Sequence, residues 1–361
     1  EEDVVITISH NGFIKRSPVS SYRRQGRGGR GVTAAVTRED DFIEHMFIAS
    51  THQYMLIFTE SGRCYWLKVH EIPEAARMAR GRSIVNLIEK KPEENITAFL
   101  TIQQFDESHY VLMVSQSGLI KKTPLSEYSN PRRTGIMAIG LKTGDKLIDV
   151  RLTDGNQDVI IGTRDGLAIR FHESQVRPMG RTALGVRGMQ LNKGDRVIGM
   201  LVLRHTGTTI FVVTERGYGK RTALQEYRPT GRAGKGVITV STNEKIGKMI
   251  AIKETMESDD IVIVTSKGMI IRQHVKDINV LGRNTQGVHL IRLEEGDTVA
   301  DVAVVPAEEE EEAKNLIEKL ETEKGSDEKR EPKKVAGMES GEKNGERAGR
   351  SKNSGKKSKR K

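Results

Sequence analysis

Cysteine is almost absent from this 361-residue chain; Cys64 stands alone, so neither an intrachain disulfide nor a thiolate zinc site can form. A lone cysteine points to a reducing, cytoplasmic compartment. Aromatic residues make up only 4%. That is too few for the stacking platforms on which single-stranded nucleic acid is held. No apolar run approaches the roughly 18 residues of a membrane span, and no signal peptide is visible. The helix period is missing from almost all of residues 1–306. The chain opens on Glu1 rather than Met, as expected of a piece of a longer protein.

Catalytic signatures are missing as well. The nine histidines are dispersed and form no H-E-x-x-H. No G-x-S-x-G nucleophile turn occurs. "GRAGKG" (231–236) comes nearest to a P-loop but lacks the hydroxyl residue that would bind magnesium. Gly26, Gly28 and Gly31 spell G-x-G-x-x-G, yet "SPVSSYRR" precedes them and "VTAAVT" follows. A dinucleotide turn needs a buried strand before it and a helix after it. These absences leave binding rather than catalysis, with no cofactor and no metal expected.

What is present is repetition. Six segments share one plan, an apolar run, a tight turn and a second run: "VVITISHNGFIKR" (4–16), "MLIFTESGRCYWL" (55–67), "VLMVSQSGLIKKT" (111–123), "VIIGTRDGLAIRF" (159–171), "IFVVTERGYGKRT" (210–222) and "IVIVTSKGMIIRQ" (261–273). β-Branched runs around N-G, S-G, D-G or K-G read as hairpins. The turn glycines are 12, 62, 118, 166, 217 and 268. Gly31, Gly81, Gly185, Gly236 and Gly287 each follow their turn glycine by 19 residues, and Gly135 follows by 17. A further strand follows each anchor, as in "GIMAIGL" (135–141). Then come a "GD" turn and a last strand such as "LIDVRL" (147–152). Four strands per repeat of about 50 residues, with no lone repeat able to bury its faces, predict an all-β six-bladed disc over 1–306.

After Pro306 the pattern stops. Residues 308–331 carry 11 acidic and 5 basic side chains, and 332–361 carry 3 acidic and 11 basic. Residues 307–361 are expected to be a disordered tail, acidic then basic.

The net charge is +10 and the pI about 9.5, which suits a polyanionic partner. The charge is also in register. "GFIKRSPVSSY" (12–22), "GLIKKTPLSEY" (118–128) and "GYGKRTALQEY" (217–227) share a basic pair and a tyrosine. A tyrosine that recurs as Tyr22, Tyr128 and Tyr227 reads as packing. The pairs Lys15/Arg16, Lys121/Lys122 and Lys220/Arg221, with Arg170 and Arg272 in blades four and six, are expected to form a basic arc on the outer rim. Blade two breaks the arc with Tyr65 and Trp66. A second row lies in the long loops: Arg132 and Arg133, Arg181, Arg232 and Lys235, and Arg283. The first of these loops, "YRRQGRGGRGV" (22–32), is the richest. Its glycines let backbone N–H groups approach phosphate, and Arg23, Arg24, Arg27 and Arg30 add charge.

The heptapeptide Gln25-Gly26-Arg27-Gly28-Gly29-Arg30-Gly31 resembles the gyrase-A box, Q-[RK]-R-G-G-[RK]-G, of the C-terminal domain of DNA gyrase A. Six of seven positions match; Gly26 departs, and Arg24 stands beside it. Six repeats with G-x-x-K-[RK]-T-P-L cores extend the resemblance over 1–306. It implies a six-bladed β-pinwheel whose rim wraps double-stranded DNA with a positive crossing. The implied partners are the gyrase A breakage-reunion domain and gyrase B. The DNA-breaking tyrosine and the ATP site would belong to those parts. The related topoisomerase IV carries a similar domain with a degraded box, and a propeller that binds proteins on its flat face is a third possibility.

Overall fold

A computed structural model describes residues 2–18, 41, 43–76, 79–91, 93–130, 132–204, 207–267 and 269–305. The six expected hairpins are formed: Asp3–Ser9 with Phe13–Pro18, Tyr54–Thr59 with Arg63–Lys68, Tyr110–Ser115 with Leu119–Pro124, Asp158–Thr163 with Leu167–His172, Thr209–Thr214 with Tyr218–Ala223, and Asp260–Thr265 with Ile270–His274. Their described turn glycines have φ between 76° and 85°, a region that side chains with a Cβ disfavour. Each hairpin gains an inner strand on one edge: Ile43–Ser50, Ile96–Ile102, Leu147–Thr153, Val197–Leu203, Met249–Thr255 and Val299–Val305. All pairings in the six sheets are antiparallel.

The strand after each anchor glycine departs from the simple expectation in two ways. It is only two residues long: Arg82–Ser83, Ile136–Met137, Val186–Arg187, Val237–Ile238 and Val288–His289. It also joins the sheet of the preceding repeat. Arg82 pairs with Ile14, Ile136 with Cys64, Val186 with Ile120, Val237 with Ala168 and Val288 with Gly219. Repeats two to six therefore each throw a crossover segment onto the blade before them. Five sheets have four strands; the sixth has three among the described residues.

Five apolar clusters join successive blades. Met55 and Ile57 of blade two, for example, pack with Ile6 and Ile14 of blade one, and Phe211 and Val213 of blade five with Ile261 and Ile263 of blade six. Each fully buried aliphatic side chain contributes about 1.5–3 kcal/mol. Tyr128 and Tyr227 sit in these clusters, as their recurrence predicts, and Tyr22 lies outside the described residues. Where blade six meets blade one, the inner strands Val299–Val305 and Ile43–Ser50 lie together. There the described contact is polar: His10 Nδ1 is 3.3 Å from Glu44 Oε2 and 3.9 Å from Asp301 Oδ2.

Candidate nucleic-acid interface

The basic pairs lie on the second hairpin strand, which is sandwiched between two neighbouring blades. Both faces of that strand are covered, so side chains of either parity go inside. Lys15, Lys121 and Lys220 are only 2%, 0% and 0% exposed. A buried ammonium must find acceptors, and these find the crossover of the next repeat, with Lys121 also bonding a carbonyl of its own repeat. Lys15 Nζ donates to Ala79 O at 2.8 Å and Ala76 O at 3.3 Å. Lys121 Nζ donates to Ala138 O at 2.5 Å and to Arg181 O. Lys220 Nζ donates to Gly282 O and Arg283 O, both at 2.6 Å, and to Thr285 Oγ1 at 3.0 Å.

The second member of each pair behaves alike. Arg16 Nε donates to Ile72 O at 2.8 Å and Arg221 Nε to Ile278 O at 2.8 Å. Lys122 Nζ donates to Glu173 O at 3.1 Å and faces the buried Glu173 carboxylate at 3.5 Å. Arg170 pairs with Asp158 at 2.7 Å and donates to Tyr227 O at 3.0 Å. Arg272 pairs with Asp260 at 2.7 Å.

This corrects the expectation of an exposed basic arc. Lys15, Arg16, Lys121, Lys122, Lys220, Arg221 and Arg170 spend their charge on carbonyls and carboxylates between blades, and only Arg272 is half-exposed. Burial holds Lys121 down to about 7, helped by the nearby Arg181 charge and opposed by Glu127. It holds Lys220 down to about 8, with Glu226 opposing and Arg283 assisting.

The second row is on the surface. Arg132, Arg133 and Lys235 are exposed. Arg133 has a side chain 90% exposed and meets only Glu89, at 3.2 Å, among its described ion pairs. Arg232 and Arg283 are half-buried, and each reaches back to the two-residue strand of the repeat before its own. Arg232 Nη1 donates to Arg187 O at 2.9 Å and Arg283 Nη1 to Ile238 O at 3.0 Å. Arg181 makes the same reach to Met137 O at a longer 3.5 Å. The loop "ARMARGR" (76–82) belongs to the same row in the sequence, and the fold adds Arg187, which those loops do not mark. Arg80 lies over the Phe13 ring at 3.7 Å, and Arg82 and Arg187 are exposed. Arg187 sits two residues past its anchor Gly185, an offset that could have exposed it in the sequence.

Arg23, Arg24 and the box residues Gln25, Gly26, Arg27, Gly28, Gly29, Arg30 and Gly31 lie outside the described residues. The loops at the same place in the other repeats' sequences are the crossovers. There the anchor glycine lets backbone press on backbone. Gly236 has φ +77°, and a Cβ there would meet Ala168 O at 2.4 Å.

The fold and its surface define a six-bladed, strand-exchanging β-propeller with a rim of crossover loops rich in arginine. The family model described as "DNA gyrase C-terminal domain, beta-propeller" matches it six times, at 3–50, 53–102, 109–154, 157–204, 208–255 and 259–306. The chain belongs to that family. The gyrase A protein of Salmonella typhimurium is 44% identical over 313 residues, covering 86% of this chain and 36% of the relative. That of Staphylococcus aureus is 42% identical over 335 residues, covering 92% and 38%. The chain thus spans little more than a third of the length of these relatives. A solved C-terminal domain of DNA topoisomerase IV superposes with a TM-score of 0.78 at 29% identity, over 89% of this chain and 98% of that one. A solved gyrase A C-terminal domain gives 0.66 at 23%, over 84% and 100%.

Proposed function

We propose that this domain binds duplex DNA along its rim and wraps it, within a gyrase A protein that works with a breakage-reunion domain and gyrase B. The observation that carries this reading is the recurrence of arginine-bearing crossovers at one position of successive blades. Arg80, Arg132, Arg133, Arg181, Arg187, Arg232, Lys235 and Arg283 are the proposed phosphate contacts in the described crossovers. The box residues Gln25–Gly31, with Arg23 and Arg24, are the proposed grip in the first repeat. Such contacts read the sugar-phosphate backbone and hold register, with no base readout required. The wrapping unit is taken as 1–306, in a cytoplasmic setting.

Wrapping makes an energetic demand. Turning a duplex through about 180° over roughly 40 base pairs costs on the order of 10 kcal/mol. Only many phosphate contacts offset that. Each contributes about −0.9 to the slope of log K against log salt. The test is affinity against salt for long and short duplexes. A slope of about −5 or steeper on long DNA, with much weaker binding to about 15 base pairs, is expected. Equal affinity for both lengths with a shallow slope would overturn wrapping.

A topoisomerase IV-type domain is the second reading, favoured by the TM-score of 0.78 to such a domain. The two part company in the reconstituted enzyme. Net negative supercoiling of relaxed circles in the presence of ATP belongs to the gyrase reading, and its absence beside intact decatenation belongs to the other.

A further inference from the structure

The crossovers carry the candidate DNA contacts, yet their geometry is fixed from the preceding blade. The residue that fixes it sits at one register position. Lys15 pairs with Thr7, Lys121 with Met113 and Lys220 with Val212. The same position in blades two, four and six holds Tyr65, Ile169 and Ile271, opposite Ile57, Ile161 and Ile263. The alternation is complete around the six repeats. Odd blades place a buried ammonium under the crossover arriving from the next repeat. Even blades place an uncharged side chain there.

We propose that Lys15, Lys121 and Lys220 are positioning residues that clamp the crossovers of repeats two, four and six, so that charge-clamped and unclamped DNA-facing loops alternate around the rim. The carbonyls they hold are those of the candidate arginines or their neighbours. Lys121 bonds Arg181 O itself, Lys220 bonds Arg283 O itself, and Lys15 bonds Ala79 O beside Arg80. A backbone fixed at that carbonyl fixes where the guanidinium starts. Lys121 also bonds Ala138 O, just past the two-residue strand of its own repeat, but the described arginine-bearing loops of repeats three and five are held from outside. Arg63, an even-blade residue, donates to Thr134 O at 2.6 Å and Gly135 O at 2.9 Å, and Arg232 holds its own loop through Gln175 O at 3.0 Å. A loop tied by side chains that reach solvent, as the half-buried Arg63 and Arg232 do, can exchange those bonds for phosphate or water. One tied to a buried ammonium has no such alternative.

The clamp itself is independent of DNA, whereas its use in presenting arginines rests on the proposed DNA-binding function. The two are tested separately. Hydrogen exchange of the chain without DNA is followed for peptides covering 179–184 and 282–286 in Lys121→Met and Lys220→Met. Losing a charge-assisted hydrogen bond should speed exchange about tenfold or more, each variant in its own crossover only. Unchanged exchange there, or an equal acceleration in all blades, overturns the clamp.

Should either methionine variant fail to fold, the parent protein supplies the same contrast. Arg181 and Glu127 face Lys121, and Glu226 and Arg283 face Lys220. Opening a clamped crossover hydrates the lysine and restores its ordinary proton affinity, so with the intrinsic base-catalysed rate divided out, protection of 179–184 should rise as pH rises above about 7, and that of 282–286 above about 8. Flat protection in both peptides overturns the proposal.

Duplex binding is then the second readout. Lys121→Met should weaken binding several-fold with an unchanged salt slope, because no phosphate contact is removed. Arg181→Ala should make the slope shallower by about 1. A slope change in Lys121→Met would make it a direct contact and sink the positioning role. If the parent binds no duplex while the exchange results hold, the DNA reading fails and the clamp stands.

Discussion

Lys220 Nζ lies 2.6 Å from the carbonyl oxygen of Arg283, so a buried ammonium of blade five holds the backbone of an arginine in repeat six. The relationship reverses the roles that charge alone suggests. The lysine is structural, and the arginine above it keeps a partly buried side chain that reaches Ile238 O at 3.0 Å.

Burial of such a charge has a pH signature. Lys121 is pushed from an ordinary 10.5 down to about 7 by desolvation. Between those values the unfolded chain binds a proton that the folded chain has released. Stability therefore rises with pH from about 7 towards 10.5, and is lower below 7 where burial must carry the charge. Lys121→Met should flatten this part of the profile. Denaturant midpoints measured from pH 6 to pH 9.5 check it. A parent that loses stability relative to the variant over that range would refute the assignment.

Lys122 and Glu173 form a closely buried ion pair in this row, at 3.5 Å between blades three and four. Glu173 also accepts from the Thr153 hydroxyl and from Gln157 N at 2.9 Å. Removing the carboxylate leaves Lys122 buried without its counter-charge. Glu173→Ala should cost about 3–5 kcal/mol, whereas Lys122→Met with Glu173→Leu should cost clearly less. Urea unfolding of the single and double variants gives both numbers. A double variant no more stable than Glu173→Ala would mean that the cost is packing.

Much of this architecture is legible in the amino-acid sequence itself. Gly12 and its relatives must turn the chain, because only glycine takes φ near +80° cheaply, and their spacing gives the blade count. Tyr128 and Tyr227 announce themselves as core by recurring. The exchange of the fourth strand is not legible. Val186 and Val237 carry no local signal of which sheet they join, since a two-residue strand pairs by position rather than by pattern. The burial of Lys15, Lys121 and Lys220 misleads for a related reason. Lysine on a one-sided sheet belongs outside, but the second hairpin strand of a propeller blade has no outside. The alternation Ile14, Lys15, Arg16 becomes readable only once both faces are known to be covered.

Gly236 offers a test of the anchor positions. Its φ is +77°, and an added Cβ would meet Ala168 O at 2.4 Å. Gly194 has φ +81° with nothing within 4 Å of a Cβ. Both alanine variants carry the left-handed backbone cost of about 1–2 kcal/mol. Only Gly236→Ala adds overpacking, of about 1–3 kcal/mol. Thermal or urea unfolding should separate them by at least about 1 kcal/mol, and equal losses would show that the crossover does not need close backbone contact.

The join between blades six and one should respond to pH in the opposite sense to Lys121. Glu44 holds the His10 imidazole above its ordinary 6.5 through a hydrogen bond, against the effect of burial and with Asp301 and Asp41 adding attraction. The charged contact stabilises fully below about 6.5 and is lost as pH rises through the raised folded value. His45 beside it is shifted down by burial and so runs the other way. His10→Gln isolates the first effect. The variant should be less stable than the parent at pH 5.5 and close to it at pH 9, by denaturant midpoint. A constant difference across that range would make His10 a packing residue only.

The division between clamps and contacts gives the last test. Arg132 and Arg133 are exposed on the crossover of repeat three, and the Arg133 side chain is 90% exposed. Their described contacts with the fold are few, so Arg132→Ala with Arg133→Ala should leave the unfolding midpoint within about 0.5 kcal/mol. If they meet phosphate, the pair should make the salt slope of duplex binding shallower by about 2. Lys220→Met should do the reverse, lowering stability and leaving the slope alone. Fluorescence anisotropy with a long duplex at several salt concentrations, beside unfolding curves for the same proteins, measures both quantities. Should Lys220→Met shift the slope while the arginine pair does not, the rim would have been assigned to the wrong row of charge.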